Sequence, residues 1–92
     1  MEKSFSRFIK EKFKEYDNYG LYNYIAWDFS DDVESFDLNE NEESLVNYLL
    51  DSVYDLDLEY YDNKNKLGNN EAFSILIEKI EKMKNKVIET LN

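Results

Sequence analysis

Residues 70–91 read NEAFSILIEKIEKMKNKVIETL, and their apolar side chains recur with the 3.6-residue period of an α-helix. The apolar stripe consists of Phe73, Leu76, Ile77, Ile80, Met83 (or Lys84), Val87 and Leu91. The lysines of this segment lie toward its carboxyl end, where the helix dipole favours positive charge. The pattern predicts a long amphipathic helix that turns one face toward a core.

A second amphipathic helix is predicted at the other end of the chain, over residues 3–16, with Ser4 as its cap. The sequence Asp17-Asn18-Tyr19-Gly20 predicts a break after it, with Gly20 in a left-handed turn position. Farther along, Asn39 followed by acidic residues predicts a helix that starts near Asn41. The polar segment 62–70, which contains Gly68, predicts a loop before the last helix.

Two segments fit both a helix and a strand. Over residues 21–36 we favour a helix, because a period of two places Asn23 on the apolar face. Over residues 53–61 the helical stripe competes with an alternation of apolar and acidic residues that is typical of a strand. We therefore expect a mainly α fold, a compact four-helix domain formed by residues 1–92 as a single unit. The alternative is an α+β fold with a small antiparallel sheet from residues 21–38 and 53–61.

The residue types that the chain lacks narrow the function. Cysteine and histidine are both absent, which excludes disulfides, thiolate or imidazole metal sites, and Cys/His or Ser/His catalysis. The segment from Asp55 to Glu59 alternates acids as a calcium loop does, but Tyr60 stands where that loop needs glycine. Asp28, Asp31 and Asp32 are explained as exposed acids. We expect no enzyme activity, no metal and no cofactor.

The charge is distributed unevenly. Residues 17–62 contain fourteen acids and no Lys or Arg, so this half carries a charge of −14. The two ends, residues 1–16 and 63–92, each carry +2. Such a surface repels phosphates and anionic lipid headgroups, so we expect neither direct nucleic-acid binding nor membrane binding. With no signal peptide or membrane-spanning stretch, we expect a protein of the bacterial host cytoplasm.

A helical reading of residues 41–62 places Asp51, Asp55, Glu59 and Asp62 on one ridge, with successive carboxylates about 5 to 6 Å apart. Phosphates of a nucleic-acid strand are spaced on a similar scale. In the strand reading, Asp55, Asp57 and Glu59 still share a face. Spacing places Tyr16, Tyr22, Tyr48 and Tyr60 in the core and leaves Tyr19, Tyr24, Tyr54 and Tyr61 as exposed contacts. The predicted partner-binding residues are Asp28, Asp31, Asp32, Asp51, Asp55, Asp57, Glu59, Asp62, Tyr54 and Tyr61.

Part of the chain resembles a known family. The residues that carry the resemblance are Phe5, Phe8, Ile9, Gly20, the run Ile25-Ala26-Trp27-Asp28-Phe29, Asp31, Asp32, Phe36, Tyr48 and Leu49. They are similar to the YozE-type, sterile-alpha-motif-like family of small helical proteins of Gram-positive bacteria and their phages. The resemblance implies a four-helix interaction module without assigned catalysis. Phe36-Asp37 replaces the family's usual Phe-Pro, and the resemblance transfers no functional residues.

The leading hypothesis is a non-enzymatic inhibitor that binds a basic nucleic-acid-binding surface by imitating nucleic-acid charge. The expected partner is a basic protein such as a defence nuclease, and the profile resembles phage anti-CRISPR and anti-restriction proteins. One alternative is a self-association module, in which the acidic half meets the basic ends of a second copy in a homodimer. Another is an immunity protein that neutralises a cationic toxin.

Overall fold

The computed structural model describes residues 4–91, and every regular element in that range is an α-helix. The helices are α1 (Phe5–Glu15), α2 (Asn18–Trp27), α3 (Phe29–Val33), α4 (Glu40–Leu67) and α5 (Asn69–Leu91). The expected mainly α fold is confirmed. The expected count of four helices holds for the longer elements, and α3, with five residues, is additional.

Both ambiguous segments are helical. Residues 21–33 belong to α2, which begins at Asn18, and to α3; the two are separated at Asp28, and residues 34–36 form a turn. Residues 53–61 lie inside α4, and the small antiparallel sheet does not form within residues 4–91. A strand would have placed Tyr54 and Leu58 on its apolar face, yet they are 66% and 55% exposed. Val53, which belongs to the helical stripe, is buried instead.

Of the two glycines, Gly68 has a left-handed backbone conformation and Gly20 does not, so the left-handed turn predicted at Gly20 is wrong. Gly20 lies in the first turn of α2, where its backbone N–H donates to Asp17 Oδ1 at 2.7 Å. Asp17 is thus a helix cap, and the chain bends before it. Gly68 has a φ of 91° and is the single residue between α4 and α5. The predicted loop over residues 62–70 is therefore wrong, because α4 continues to Leu67.

A reciprocal cap fixes the start of α4. The Glu42 backbone N–H donates to Asn39 Oδ1 at 2.8 Å, and the Asn39 backbone N–H donates to Glu42 Oε1 at 3.0 Å. Two backbone donors that the helix leaves unpaired are satisfied in this way. The predicted Asn cap is confirmed, with the first helical residue at Glu40.

The two long helices fold back on each other at Gly68 and form an antiparallel pair, and α2 packs against both. Their facing sides bury Leu49 and Val53 of α4 and Leu76 and Ile80 of α5. The remaining core residues are Phe5, Phe8, Ile9, Phe13, Leu21, Tyr22, Tyr24, Ile25, Phe29, Val33, Val46, Ala72, Met83 and Val87. Tyr22 is buried as predicted, whereas Tyr24, predicted to be exposed, is also buried. Tyr16, Tyr48 and Tyr60 are partly buried against the core.

Candidate functional site

The acidic half of the chain stays largely uncompensated by ion pairs. Of the fourteen acids in residues 17–62, two form ion pairs within residues 4–91. These are Glu59, which pairs with Lys79, and Asp62, whose Oδ2 lies 3.0 Å from Lys66 Nζ. Each of the other ion pairs of the described chain lies within one of the two ends and does not involve the acidic half. The basic ends thus neutralise a small part of the acidic half.

The ridge on α4 is compensated at its carboxyl-terminal end. Glu59 and Asp62 carry the two ion pairs. Asp55 lines a shallow groove of about 320 Å³ together with Lys79 and other lysines of α5. The lysines of this groove are Lys79, Lys82 and Lys86. Asp51, one turn earlier, is exposed and has no ion pair in residues 4–91. The unneutralised part of the ridge therefore lies near its amino-terminal end.

The densest unpaired charge lies in residues 28–43, which we call the acidic segment. It contains α3, the connection to α4 and the first turn of α4. Its eight acids are Asp28, Asp31, Asp32, Glu34, Asp37, Glu40, Glu42 and Glu43. None of them forms an ion pair within residues 4–91. All are exposed except Glu42, which is partly buried and caps α4.

Beside this segment, α2 and α4 enclose a cleft of about 470 Å³, which we call the aromatic cleft. Its lining residues are Tyr19, Tyr22, Asn23, Ile25, Ala26, Trp27, Leu50, Val53, Tyr54, Asp57 and Tyr60. No Lys or Arg is among them. Trp27 is 79% exposed and Tyr54 is 66% exposed, so large apolar surfaces lie open at the cleft. An exposed aromatic patch with a polar rim is typical of a binding surface.

Two buried tyrosines connect the core to the acids. The Tyr22 hydroxyl donates to Asp57 Oδ1, and the Tyr24 hydroxyl donates to Asp32 Oδ2 at 2.6 Å. Burial, followed by the hydrogen bond to the carboxylate, raises the pKa of both tyrosines well above the ordinary range. Asp32 and Asp57, both predicted for partner contact, thus also hold structural hydrogen bonds.

These two hydroxyls predict a loss of stability in alkaline solution. Because the folded state raises the pKa of Tyr22 and Tyr24, their stabilisation is complete below the unfolded pKa of about 10 and is lost as the pH rises above it. A Tyr22→Phe/Tyr24→Phe double variant should be less stable by about 2 kcal/mol at neutral pH. It should also show a shallower decline of the unfolding free energy above about pH 10.

Urea unfolding measured across that pH range checks this prediction. The control, Tyr54→Phe/Tyr61→Phe, removes two exposed hydroxyls and should keep the wild-type slope. Equal slopes in all three proteins would contradict the role assigned to the buried pair.

The structure assigns different surroundings to the remaining predicted residues. Tyr54 lines the aromatic cleft, but Tyr61 does not. The Tyr61 side chain is 68% exposed, and Lys64 Nζ lies 5.9 Å from its ring centroid. Trp27 was not among the predicted contact residues, although it is the most exposed large hydrophobic side chain in residues 4–91. No local sequence pattern identifies this outward face: Trp27 and the neighbouring Ala26 are both apolar, and their exposure follows from how α2 packs.

Within residues 4–91, no group of three or more acidic side chains is placed to hold a metal ion. No helix in that part of the chain is long and apolar enough to cross a membrane. Comparisons with protein-family models, curated proteins and solved structures found no match for this chain. The resemblance to the YozE-type family therefore stays a prediction.

Proposed function

We propose that the protein is a non-enzymatic inhibitor that binds a basic, nucleic-acid-binding surface of a partner protein. The observation that supports this most is the distribution of ion pairs: twelve of the fourteen acids in residues 17–62 have no pair within residues 4–91. A domain selected for stability alone would intersperse Lys and Arg among these acids. A cationic surface of a partner would neutralise these acids, and their attraction would then contribute to binding.

The binding surface consists of the acidic segment, Asp51 and the rim of the aromatic cleft. The backbone that carries these carboxylates is held in place, because α3 buries Phe29 and Val33 in the core and Asn39 caps α4. A groove that binds nucleic acid recognises mainly the negative charge of phosphates. A rigid display of carboxylates can occupy the same groove and exclude the nucleic acid. The exposed aromatic rings add apolar contact area that phosphates lack.

This function predicts salt-dependent competition with DNA. The protein is immobilised, a bacterial lysate is passed over it, and retained DNA-binding proteins are purified and tested with a fluorescent DNA duplex. We expect the protein to displace the duplex from such a partner. Its affinity should fall steeply between about 50 and 300 mM salt, because screening weakens the attraction between exposed charges.

A matched pair of charge variants identifies the surface. Asp28→Asn/Asp31→Asn removes two exposed, unpaired charges of the acidic segment and should weaken binding about tenfold. Glu71→Gln/Glu89→Gln removes the same charge from exposed positions on α5 and should weaken it less than about twofold. Equal losses would assign binding to net charge alone. A partner that binds the protein and DNA simultaneously would contradict inhibition by charge imitation.

A further inference from the structure

We infer that the aromatic cleft is a specificity pocket for an arginine side chain of the basic partner. The inference rests on the proposed function and adds to it the chemistry of one anchoring contact. Charge attraction brings basic surfaces to the acidic half, but at long range it depends on charge alone and does not distinguish arginine from lysine. A pocket that accepts one kind of cation supplies the missing selectivity.

The lining of the cleft favours a flat cation. Buried Ile25 and Val53 are part of an apolar lining, and the rings of Trp27, Tyr54 and Tyr19 provide aromatic surface. A guanidinium group is planar, stacks on aromatic faces and is weakly hydrated. A lysine ammonium is a compact, strongly hydrated charge that loses more on leaving water. The cleft therefore favours arginine over lysine.

Asp57 provides a carboxylate for the cation. One of its oxygens, Oδ1, accepts the Tyr22 hydroxyl, which fixes the carboxylate against α2. The carboxylate retains acceptor capacity, because each of its oxygens has more than one lone pair. A guanidinium fork can donate to that capacity while its plane lies on a ring. No Lys or Arg of the described chain lines the cleft to compete for Asp57.

Cations already lie over aromatic rings elsewhere in the protein. Lys86 Nζ lies 5.0 Å from the Tyr48 ring centroid, and Lys64 Nζ lies 5.0 Å from that of Tyr60. Lys12 Nζ is similarly placed over three rings near α1. Within residues 4–91, Trp27 and Tyr54 have no such partner. Tyr19, the third exposed ring of the cleft, has none within those residues either, so these three rings are open to a cation from outside.

Two short peptides of equal length and charge test the inference, one with arginine alternating with glycine and one with lysine alternating with glycine. Affinity is measured by titration calorimetry, and the emission of Trp27, the one tryptophan in the chain, reports contact at the cleft. We expect the arginine peptide to bind about fivefold more tightly than the lysine peptide. It should also be the peptide that changes the Trp27 emission more.

A matched pair of tyrosine variants localises the contact. Tyr54→Ala should remove the preference for arginine, whereas Tyr61→Ala should keep it, because both side chains are highly exposed on α4 but Tyr54 alone lines the cleft. Circular dichroism confirms that both variants are folded.

Equal binding of the two peptides, with steep salt dependence, would overturn the pocket and leave the proposed function standing. Binding of neither peptide at low salt would overturn both proposals. Self-association that changes the Trp27 emission without peptide would replace arginine by a second copy and also overturn the pocket.

Discussion

Replacing Phe29 by alanine is expected to lower the free energy of unfolding by about 4 kcal/mol. Phe29 is 1% exposed and connects the short helix α3 to the rest of the core. Its ring is parallel to that of Phe8, with centroids 6.5 Å apart, and meets the Tyr24 ring edge-on at 6.0 Å. Truncation removes these contacts and leaves a cavity that neighbouring helices close only in part. Since domains of this size have a total stability of about 5 to 15 kcal/mol, the loss is large.

Phe73→Ala provides the matched control for Phe29→Ala. Phe73 is 39% exposed on α5 and contacts the Tyr19 ring at a centroid distance of 5.3 Å. Because much of its surface is already in water, its truncation should cost no more than about 1.5 kcal/mol. Urea unfolding followed by circular dichroism measures both values. Similar costs for the two variants would show that α3 is not anchored through Phe29.

The second large effect is expected at Gly68, where alanine should lower the free energy of unfolding by about 1 to 3 kcal/mol. Gly68 has a φ of 91° and a ψ of 166°, a backbone region that is essentially restricted to glycine. A Cβ built at this position meets no atom within 4 Å. The cost therefore comes from the backbone conformation and not from a clash with neighbours.

Asn70→Ala, two residues away and exposed in the first turn of α5, is the control and should change the stability by less than about 0.5 kcal/mol. Both variants are compared by urea unfolding at low protein concentration. A Gly68→Ala variant as stable as the wild type would mean that the connection between α4 and α5 tolerates another conformation.

The elements with strong periodicity were predictable, and the polar end of α4 was not. The Asn39 cap and the α5 stripe from Leu76 to Val87 follow from local rules that the structure confirms, but Phe73, predicted in that stripe, is exposed and Ala72 is buried instead. Residues 62–67 were predicted as loop because they present no apolar face to a core. They remain helical because Asn63 and Lys64 are partly buried where α4 lies beside α5, and because Asp62 and Lys66, one turn apart, form an ion pair. A helix that is polar all round has no hydrophobic signature.

The sequence predicted the charge of the candidate site, but not its ion pairs or its cleft. The location of the acids is visible in the sequence, but the Glu59–Lys79 pair joins residues on two helices and depends on the register between α4 and α5. The aromatic cleft likewise depends on where α2 crosses α4. Spacing predicts Tyr24 to be exposed, but α2 also packs against α3, so Tyr24 is buried and Asp32 accepts its hydroxyl there.

A connection of one residue also bears on how copies of this chain could associate. If residue 68 took ordinary helical angles, residues 40–91 would form one continuous rod about 78 Å long. The faces that α4 and α5 bury against each other would then be separated, and each would pack against the complementary helix of another molecule in an exchanged dimer. Gly68 therefore opposes this exchange in the wild-type protein, because it ends α4 and turns the chain back on itself.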